Sequence, residues 1–509
     1  MISNRSFGLT LAVLLPWFLA LDSSGQTGNL GLFQGESEIG APARKGSVEF
    51  APQTGTYLIA GGGENMWFTN DALHFVWKKI SGDFSLAAEI QWPAPGGNAH
   101  RKACILLRQS LAADSAYADV AVHGDGLTSL QYRENPGELT REIQANVSSP
   151  ARVCLEKHGN YVSLSLASAG EPLHPAGAAC QINFKDEFYL GFGVCAHDNQ
   201  ALEKARFTKV ALTLTAGSGI ASRPIASTLE VIPIGSKDRR AVYYSVDRLE
   251  SPNWSPDGLS LYYNSKGRIF RLPVIGGTPQ VIATGSATNC TLHHGISPDG
   301  STLAITHEPK PGISYVYTVP VAGGSPRQVT RQSPSHWLSW APDGASLLIA
   351  GARNGDMEAA SILAINLDGT EERPFSLAAG INSNPDYAAD GKSIFFQSSR
   401  TGLQQIWRMK AVGSNQEQMT GDATNNYESW CPHPSPDGKW IAFLAVPKSP
   451  TRRDRLPINE EMRLMLMPAS GGPAQLLCKF LGGQGTLDAP SWSPDSKRIA
   501  FISHQYIHP

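Results

Sequence analysis

The chain has little cysteine, little charge and, past its first residues, no long apolar run. Seven cysteines (Cys104, Cys154, Cys180, Cys195, Cys290, Cys431 and Cys478) stand among 509 residues. The odd count leaves at least one thiol unpaired, and Cys104, Cys154 and Cys195 each sit in an apolar, strand-like run, so they read as small buried hydrophobes. No CxxC occurs, which leaves a zinc knuckle or a thioredoxin-type dithiol unsupported. Charged residues make up 17% and the formal net charge is -2, which argues against a nucleic-acid footprint. Nothing after the N-terminus approaches the ~20 apolar residues of a membrane-spanning helix. G-x-S-x-G and HExxH are absent too, and with them two common hydrolase signatures.

Turn-formers are what the chain has in quantity: 50 Gly and 35 Pro, as in an all-β protein. Six copies of one turn recur: Trp254-Ser-Pro-Asp-Gly258, Ile296-Ser-Pro-Asp-Gly300, Trp340-Ala-Pro-Asp-Gly344, Tyr387-Ala-Ala-Asp-Gly391, Pro434-Ser-Pro-Asp-Gly438 and Trp492-Ser-Pro-Asp-Ser496. Pro fixes φ for the first central position of a type I turn, Asp tolerates the second, and Gly accepts positive φ where the returning strand begins. Each copy is therefore a hairpin between two strands. Starting at 255, 297, 341, 388, 435 and 493, the turns are 42, 44, 47, 47 and 58 residues apart, the period of a four-stranded propeller blade. In the first unit Gly267–Leu272 reads as the third strand and Gln280–Ala283 as the fourth, joined by Gly276-Gly277. Two strands, Leu229–Pro233 and Ala241–Tyr244, precede the first turn, and the last unit supplies only its first two. The predicted architecture is six blades, one of them shared between the ends of residues 229–509.

Upstream the pattern changes. Residues 1–25 read as a secretory signal, with Arg5, an apolar run from Leu9 to Leu21 and a cleavage position after Gly25. Strand signals at 73–77, 84–90, 103–107, 118–122, 129–132, 151–155, 162–166, 188–194 and 205–214 predict a two-sheet sandwich over 27–215. Residues 216–228, rich in Gly and Ser, read as a linker that leaves the two halves separable. The fold class is then all-β: a jelly-roll sandwich followed by a six-bladed propeller, exported to the periplasm or outside the cell, with no membrane span after signal cleavage.

Two resemblances bear on function. The segments Phe75–Phe84, Pro150–Lys157 and Leu190–Asp198 resemble the concanavalin-like, laminin-G-like jelly-roll family, which implies a sugar-binding or adhesive module. The six repeats resemble the TolB-type propeller family, which implies a protein or peptide partner. The combined reading is a non-catalytic exported binding protein with no cofactor. Trp67, Trp77, Trp92 and Tyr132 are the candidates for stacking on sugars. In the propeller the segments before the turns face the channel, and they hold Glu250, His293, His294, His336, Asn384, Glu428, His433 and Asp488. Imidazoles converging there would suit a metal or acid–base chemistry. His293 and His294 are adjacent, however, so at most one should face the axis, and His336 and His433 should sit at different depths. A lining of polar groups and water is expected, with no metal.

The second reading is a polysaccharide-active enzyme. Oligogalacturonate lyases have a similar repeat and hold a metal with His and Gln before a Ser-Pro-Asp-Gly turn. Only His433 of Tyr427–Gly438 fits that pattern, no Gln is present, and that family has seven blades. Gly482-Gly-Gln-Gly-Thr486 lacks the ending of a phosphate loop and reads as a loop at the channel mouth. The insertion 448–461, with Arg452, Arg453, Glu460 and Glu461, accounts for the longest spacing and reads as a solvated loop or a partner contact.

Overall fold

The structure is a computed structural model that describes residues 28–507 apart from 186, 216–224, 354–360, 376–379, 422–425, 450–455, 457 and 490. The expected signal segment therefore lies outside the described residues. Among the described residues every regular element is a strand.

The N-terminal strands form two facing sheets. One has seven strands, in the order His174–Gln181, Tyr161–Ala167, Arg152–His158, Asp83–Gln91, Glu203–Thr215, Thr56–Gly61 and Ser47–Ala51. The other runs Gly35–Ile39, Leu73–Ile80, Phe188–Cys195, Lys102–Arg108, Tyr117–His123, Thr128–Arg133 and Arg141–Gln144. Alternation along these strands sends Ile105, Leu107, Val120 and Phe192 inward against Phe84, Leu86 and Val153. The opposite faces carry Cys104, Leu106, Tyr117 and Ala121, which join a second cluster under Met66 and Leu73. Burial on both faces explains the continuous apolar character of Lys102–Arg108. All seven cysteines are buried and free.

From Glu250 to Gln418 the chain makes four separate four-stranded antiparallel sheets, each in sequence order. The outermost strands are short: the first unit's is Gln280–Val281, because Ile282 turns into the core and Ala283 leaves the ladder. Tyr427–Pro434, Trp440–Pro447, Ile458–Pro468 and Gln475–Gly483 follow in the same order. The insertion is thus partly strand, since Ile458–Glu461 opens a ladder with the next strand, where Glu460 pairs with Gly482 and Glu461 with Leu481. Gly482 and Gly483 belong to that ladder rather than to a loop.

The six turns share one geometry. The final residue donates its N–H to the carbonyl three back at 2.8–2.9 Å, from Gly258 to Ser255 round to Ser496 to Ser493. The five glycines take φ of 69 to 75°, and Ser496 adopts 58° in their place. Each Asp accepts from the backbone two residues on, as Asp257 does from Leu259 at 2.9 Å and Asp495 from Lys497 at 3.1 Å. The first four turns also approach one another in succession. A Cβ placed on Gly300 would lie 3.0 Å from Pro256, on Gly344 3.9 Å from Pro298, and on Gly391 3.8 Å from Pro342. Asp437 N–H donates to Ser496 Oγ, and a Cβ placed on Gly258 would lie 3.7 Å from Pro494 of the sixth turn. The first turn thus meets the last.

Strand pairing brings the ends together as well. Ile225–Pro233 pairs along its whole length with Arg498–Tyr506, with Glu230 opposite Phe501 and Ile232 opposite Ile499, and its other edge takes Arg239–Ser245. Residues 225–228, expected within a linker, are the first part of this strand, because Ala226, Ser227 and Thr228 are buried and paired. Residues 216–224 lie outside the described set. Beyond Arg239–Ser245 the sheet continues into the N-terminal region: Ile143 and Gln144 pair in parallel with Arg239 and Arg240, giving one fourteen-stranded sheet.

Arg239 pins this junction. Its side chain is buried; Nε and Nη2 donate to the Glu230 carboxylate at 2.8 and 2.6 Å, and Nη1 reaches the carbonyls of Ala179 at 3.3 Å and Lys479 at 3.5 Å. Ser503 donates to the same carboxylate. Lys479 in turn bonds Glu134 at 2.5 Å. Arg239→Met should leave Glu230 buried and unpaired and cost about 3–5 kcal/mol. Because the pair touches three elements, calorimetry should show one transition shifted as a whole. Two transitions, of which only one moves, would show that the halves unfold separately.

Candidate functional site

The inner strands of the propeller are bound to one another around a complete circle. Asn253 Nδ2 donates to His294 O at 3.4 Å, and Trp340 Nε1 to Gly295 O at 3.0 Å. Ser339 Oγ donates to Asp386 at 2.6 Å, and His433 Nδ1 lies 2.9 Å from the other oxygen of that carboxylate. His433 Nε2 meets Leu487 O at 2.8 Å, and Ser491 Oγ donates to Pro252 O at 2.7 Å, which returns to the first unit. Apart from Trp340, which is one residue before its turn, these side chains occupy the position two before each turn. That position is polar in five of six units, Gly295 being the exception, and sequence reasoning passed over all of it but His433. The missed signal was the recurrence of one polar column at the repeat period.

Ser339, Asp386 and His433 include the residue types of a nucleophilic triad in the wrong order. The carboxylate sits between the hydroxyl and the ring, so the imidazole does not face the serine, and all three are buried. Both nitrogens of His433 are turned to oxygen atoms of the protein, so neither points to space where a metal could sit. This removes the one residue that fitted the lyase pattern.

The channel wall is made two or three residues further back. There each inner strand slips register, between Glu250 and Asn253, Cys290 and His294, Trp337 and Ser339, Ser383 and Asp386, and Trp430 and His433. Ser251, Asn384 and Cys431 take φ of 54, 47 and 51° at the slip. Such bulges bend a strand and re-aim its side chains. His293 and His336 come together here, with ring centroids 4.8 Å apart. His294 is fully buried in the wall, and its ring nitrogens have no hydrogen-bond partner among the described residues. Asn384 Nδ2 donates to Cys431 Sγ at 3.0 Å. Glu428 is buried in its strand. On the far arc Gly485 N–H donates to Asp488 at 2.5 Å, Gly485 packs against Glu250, and Arg248 Nε reaches Glu250 at 3.0 Å. The Gly482–Thr486 segment thus shapes this arc by close backbone approach.

His293, His336, Asn384, Glu250 and Asp488 lie deep in the protein yet keep some water-accessible surface, as groups on a narrow channel do. Burial holds His293 well below the usual imidazole range, aided by the neighbouring His336 and His294, and lowers His336 as well. Burial pushes Asp488 up to about 6 against the Gly485 hydrogen bond, and raises Glu250. The imidazoles are therefore neutral at neutral pH, and the carboxyls keep a proton to higher pH than usual. Among the described residues no three His, Cys, Asp or Glu side chains are grouped to hold a metal.

In the N-terminal region the sugar-stacking candidates separate. Tyr132 is 5% exposed within the sandwich core and cannot stack on a ligand. Trp77 is covered by the strand at Gly35, meets Tyr189 edge-on at 5.0 Å and donates to Ser37. Trp67 lies under the Lys102 ammonium at 5.2 Å. Trp92 is half-buried and borders an open hollow.

Comparison with known proteins places these features. A family described as the TolB beta propeller domain matches residues 316–506. An uncharacterized protein of Agrobacterium fabrum (strain C58) is 38% identical over 292 residues, 57% of this chain and 96% of its own length. The structure of a putative TolB from Agrobacterium tumefaciens is 37% identical, covering 56% of this chain and 99% of that one, with a TM-score of 0.52. The Tol-Pal system protein TolB of Francisella tularensis subsp. holarctica is 24% identical over 262 residues, 48% of this chain and 54% of the relative.

The buried carboxyl of Asp488 gives a pH prediction. Its folded value of about 6 lies above the ordinary 3.8, so the folded state keeps a proton that the unfolded chain has lost. Stability from this group falls as pH rises between those values and is flat above them. Asp488→Asn can keep the bond from Gly485 without the charge. It should melt higher than the parent at pH 7–8, by about 1–3 kcal/mol, with the difference shrinking toward pH 4. A gap independent of pH would contradict burial of the charge.

Proposed function

The chain belongs to the TolB β-propeller family, and from that premise we propose that it is an exported, non-catalytic binding protein whose propeller channel receives a protein or peptide partner. The observation that carries this reading is the channel wall. It holds uncharged imidazoles, an amide and carboxyls that keep a proton to higher pH than usual, all deep in the protein yet in contact with water. Such a wall offers hydrogen bonds and a shaped hole, which suits recognition of a side chain or a chain terminus. The naming of a relative as a Tol-Pal system protein points to an envelope protein as the partner class.

The ring is read as six blades. Five are the successive four-stranded units, and the sixth is assembled from Ile225–Pro233 and Arg239–Ser245 with Arg498–Tyr506 and the segment at Trp492. The circle of six inner-strand bonds and the contact of the first turn with the last support that count. The N-terminal sandwich is read as a jelly roll that contacts glycan or cell envelope, and residues 1–25 as a cleaved export signal.

Photo-crosslinking in the native cell tests the partner claim. A photoreactive residue in place of His336 or Asn384 should yield one discrete protein adduct, and the same residue at Val412, 83% exposed outside the channel segments, should not. Adducts at Val412 alone, or at none of the three, would refute channel recognition. The mature protein recovered from those cells should begin at Gln26.

A further inference from the structure

Trp92 borders a hollow of about 880 Å³ at one end of the N-terminal sandwich, within the ~300–1,000 Å³ usual for ligand sites. It opens where Asp83–Gln91 ends, the 124–127 turn reverses the chain, and the segments 149–152 and 168–171 converge. Two non-glycine residues at its edge hold left-handed backbone, Ser149 at φ 52° and Lys209 at φ 47°. Lys209 sits in the bulge that breaks the pairing of Glu203–Thr215 with Asp83–Gln91 between Thr208 and Ala211. Strain and a bulge at one hollow are features that folds retain around binding sites.

The wall is also rigid. Ser149 N–H bonds Gly126 O at 2.8 Å, and Lys209 bonds Glu89 at 2.8 Å while its carbonyl receives Arg152 at 3.4 Å. The Trp92 indole N–H donates to His123 O at 3.3 Å. Arg101 lies over the Trp92 ring at 4.3 Å, is itself held by Glu203 at 2.6 Å, and does not line the hollow, so it backs the ring from the protein side. His123, 4% exposed, lines the hollow with Nδ1 lacking a partner among the described residues.

The lining selects a class of ligand. Glu89 and Glu171 are balanced by Arg152 and Lys209, so the hollow has no net charge to draw a phosphate, an acidic sugar or a cation. Hydroxyls of Ser149 and Ser168 and the Gln91 amide supply neutral hydrogen bonding beside a single large aromatic face. We propose that this hollow binds a neutral oligosaccharide, with Trp92 as the stacking platform and Gln91, Ser149 and Ser168 as hydroxyl partners. This rests on the glycan reading of the sandwich and adds to it a place and a charge class.

Calorimetric titration of the mature chain tests it with hexaoses of β-1,4-glucan, β-1,3-glucan, β-1,4-xylan, α-1,4-glucan and β-1,4-N-acetylglucosamine, and with hexagalacturonate as the acidic probe. At least one neutral hexaose should bind. Trp92→Ala should weaken it at least about tenfold, as loss of an aromatic anchor does, and Trp92→Phe should restore most of the loss. Ser168→Trp, at an exposed rim position, fills the hollow without touching the core and should also abolish binding, which covers the case of a Trp92→Ala variant that fails to fold. Neutral binding untouched by both variants would overturn this site while leaving the glycan reading in place. Binding of hexagalacturonate alone would overturn the charge class. No binding of any hexaose at millimolar concentration would overturn the site and the glycan reading together.

Discussion

The pairing of Ile225–Pro233 with Arg498–Tyr506 is the contact on which the rest of the propeller depends. A propeller is a ring of units that bury apolar faces only against their neighbours. Unless the first and last units meet, two such faces are left to water. Here the closure is a nine-residue antiparallel ladder from Ile225 opposite Tyr506 to Pro233 opposite Arg498, so the ends of residues 225–506 hold each other by backbone bonds. Hydrophobic contact joins it: Leu229, Val231, Ala500 and Ile502 pack with Trp254 and Leu261 of the first unit, and Ile232, Ile499 and Phe501 pack with Trp430 and Leu464 of the fifth. Since successive strand residues face opposite ways, one ladder seals both neighbouring seams.

Closure also explains the link between the two regions. The outer edge of the closing sheet would be an open row of backbone donors and acceptors, as would the edge at Arg141–Gln144. Their parallel pairing at Ile143 and Gln144 covers both. Buried charge is tolerated there because it is fully paired. Glu230 receives two guanidinium bonds and a serine hydroxyl, while the remaining Arg239 nitrogen is turned to main-chain carbonyls of the sandwich and of the fifth unit. The sandwich therefore sits on the part of the ring that holds the ring shut.

Much of this was legible in the chain. The Pro-Asp-Gly turns identify the first hairpin of every unit because φ and hydrogen-bond requirements are local, and a local requirement leaves a local mark. The two strands before the first turn gave away the closure in the same manner. Gln144 with Arg240 and Glu134 with Lys479 left no such trace, since each pair is remote in sequence and each residue alone is an ordinary surface type. Tyr132 misled because a buried tyrosine and a sugar platform have the same composition, and burial is decided by the facing sheet. Of the expected channel residues His293, His336, Asn384 and Asp488 keep water contact while His294, Glu428 and His433 are buried; the strands bulge at Ser251, Asn384 and Cys431, and serine, asparagine and cysteine do not announce positive φ as glycine does.

These bulges set what the channel can do. Without them, strict alternation would keep the column two before the turn and the column four before it on the same side of each strand. The slip separates them. One column, Ser339, Asp386, His433 and Ser491, turns to the neighbouring strand and is spent on stitching the ring. At the slip, His293 and Asn384 stay in contact with water, as does Asp488 in the last unit. A side chain that holds the ring cannot also move a proton for a substrate without loosening it, so the polar groups left for a ligand are those of the wall. Those are neutral imidazoles, an amide and carboxyls that keep a proton to higher pH than usual. A partner received by such a wall would meet groups already in place, which is the condition under which binding carries little ordering cost.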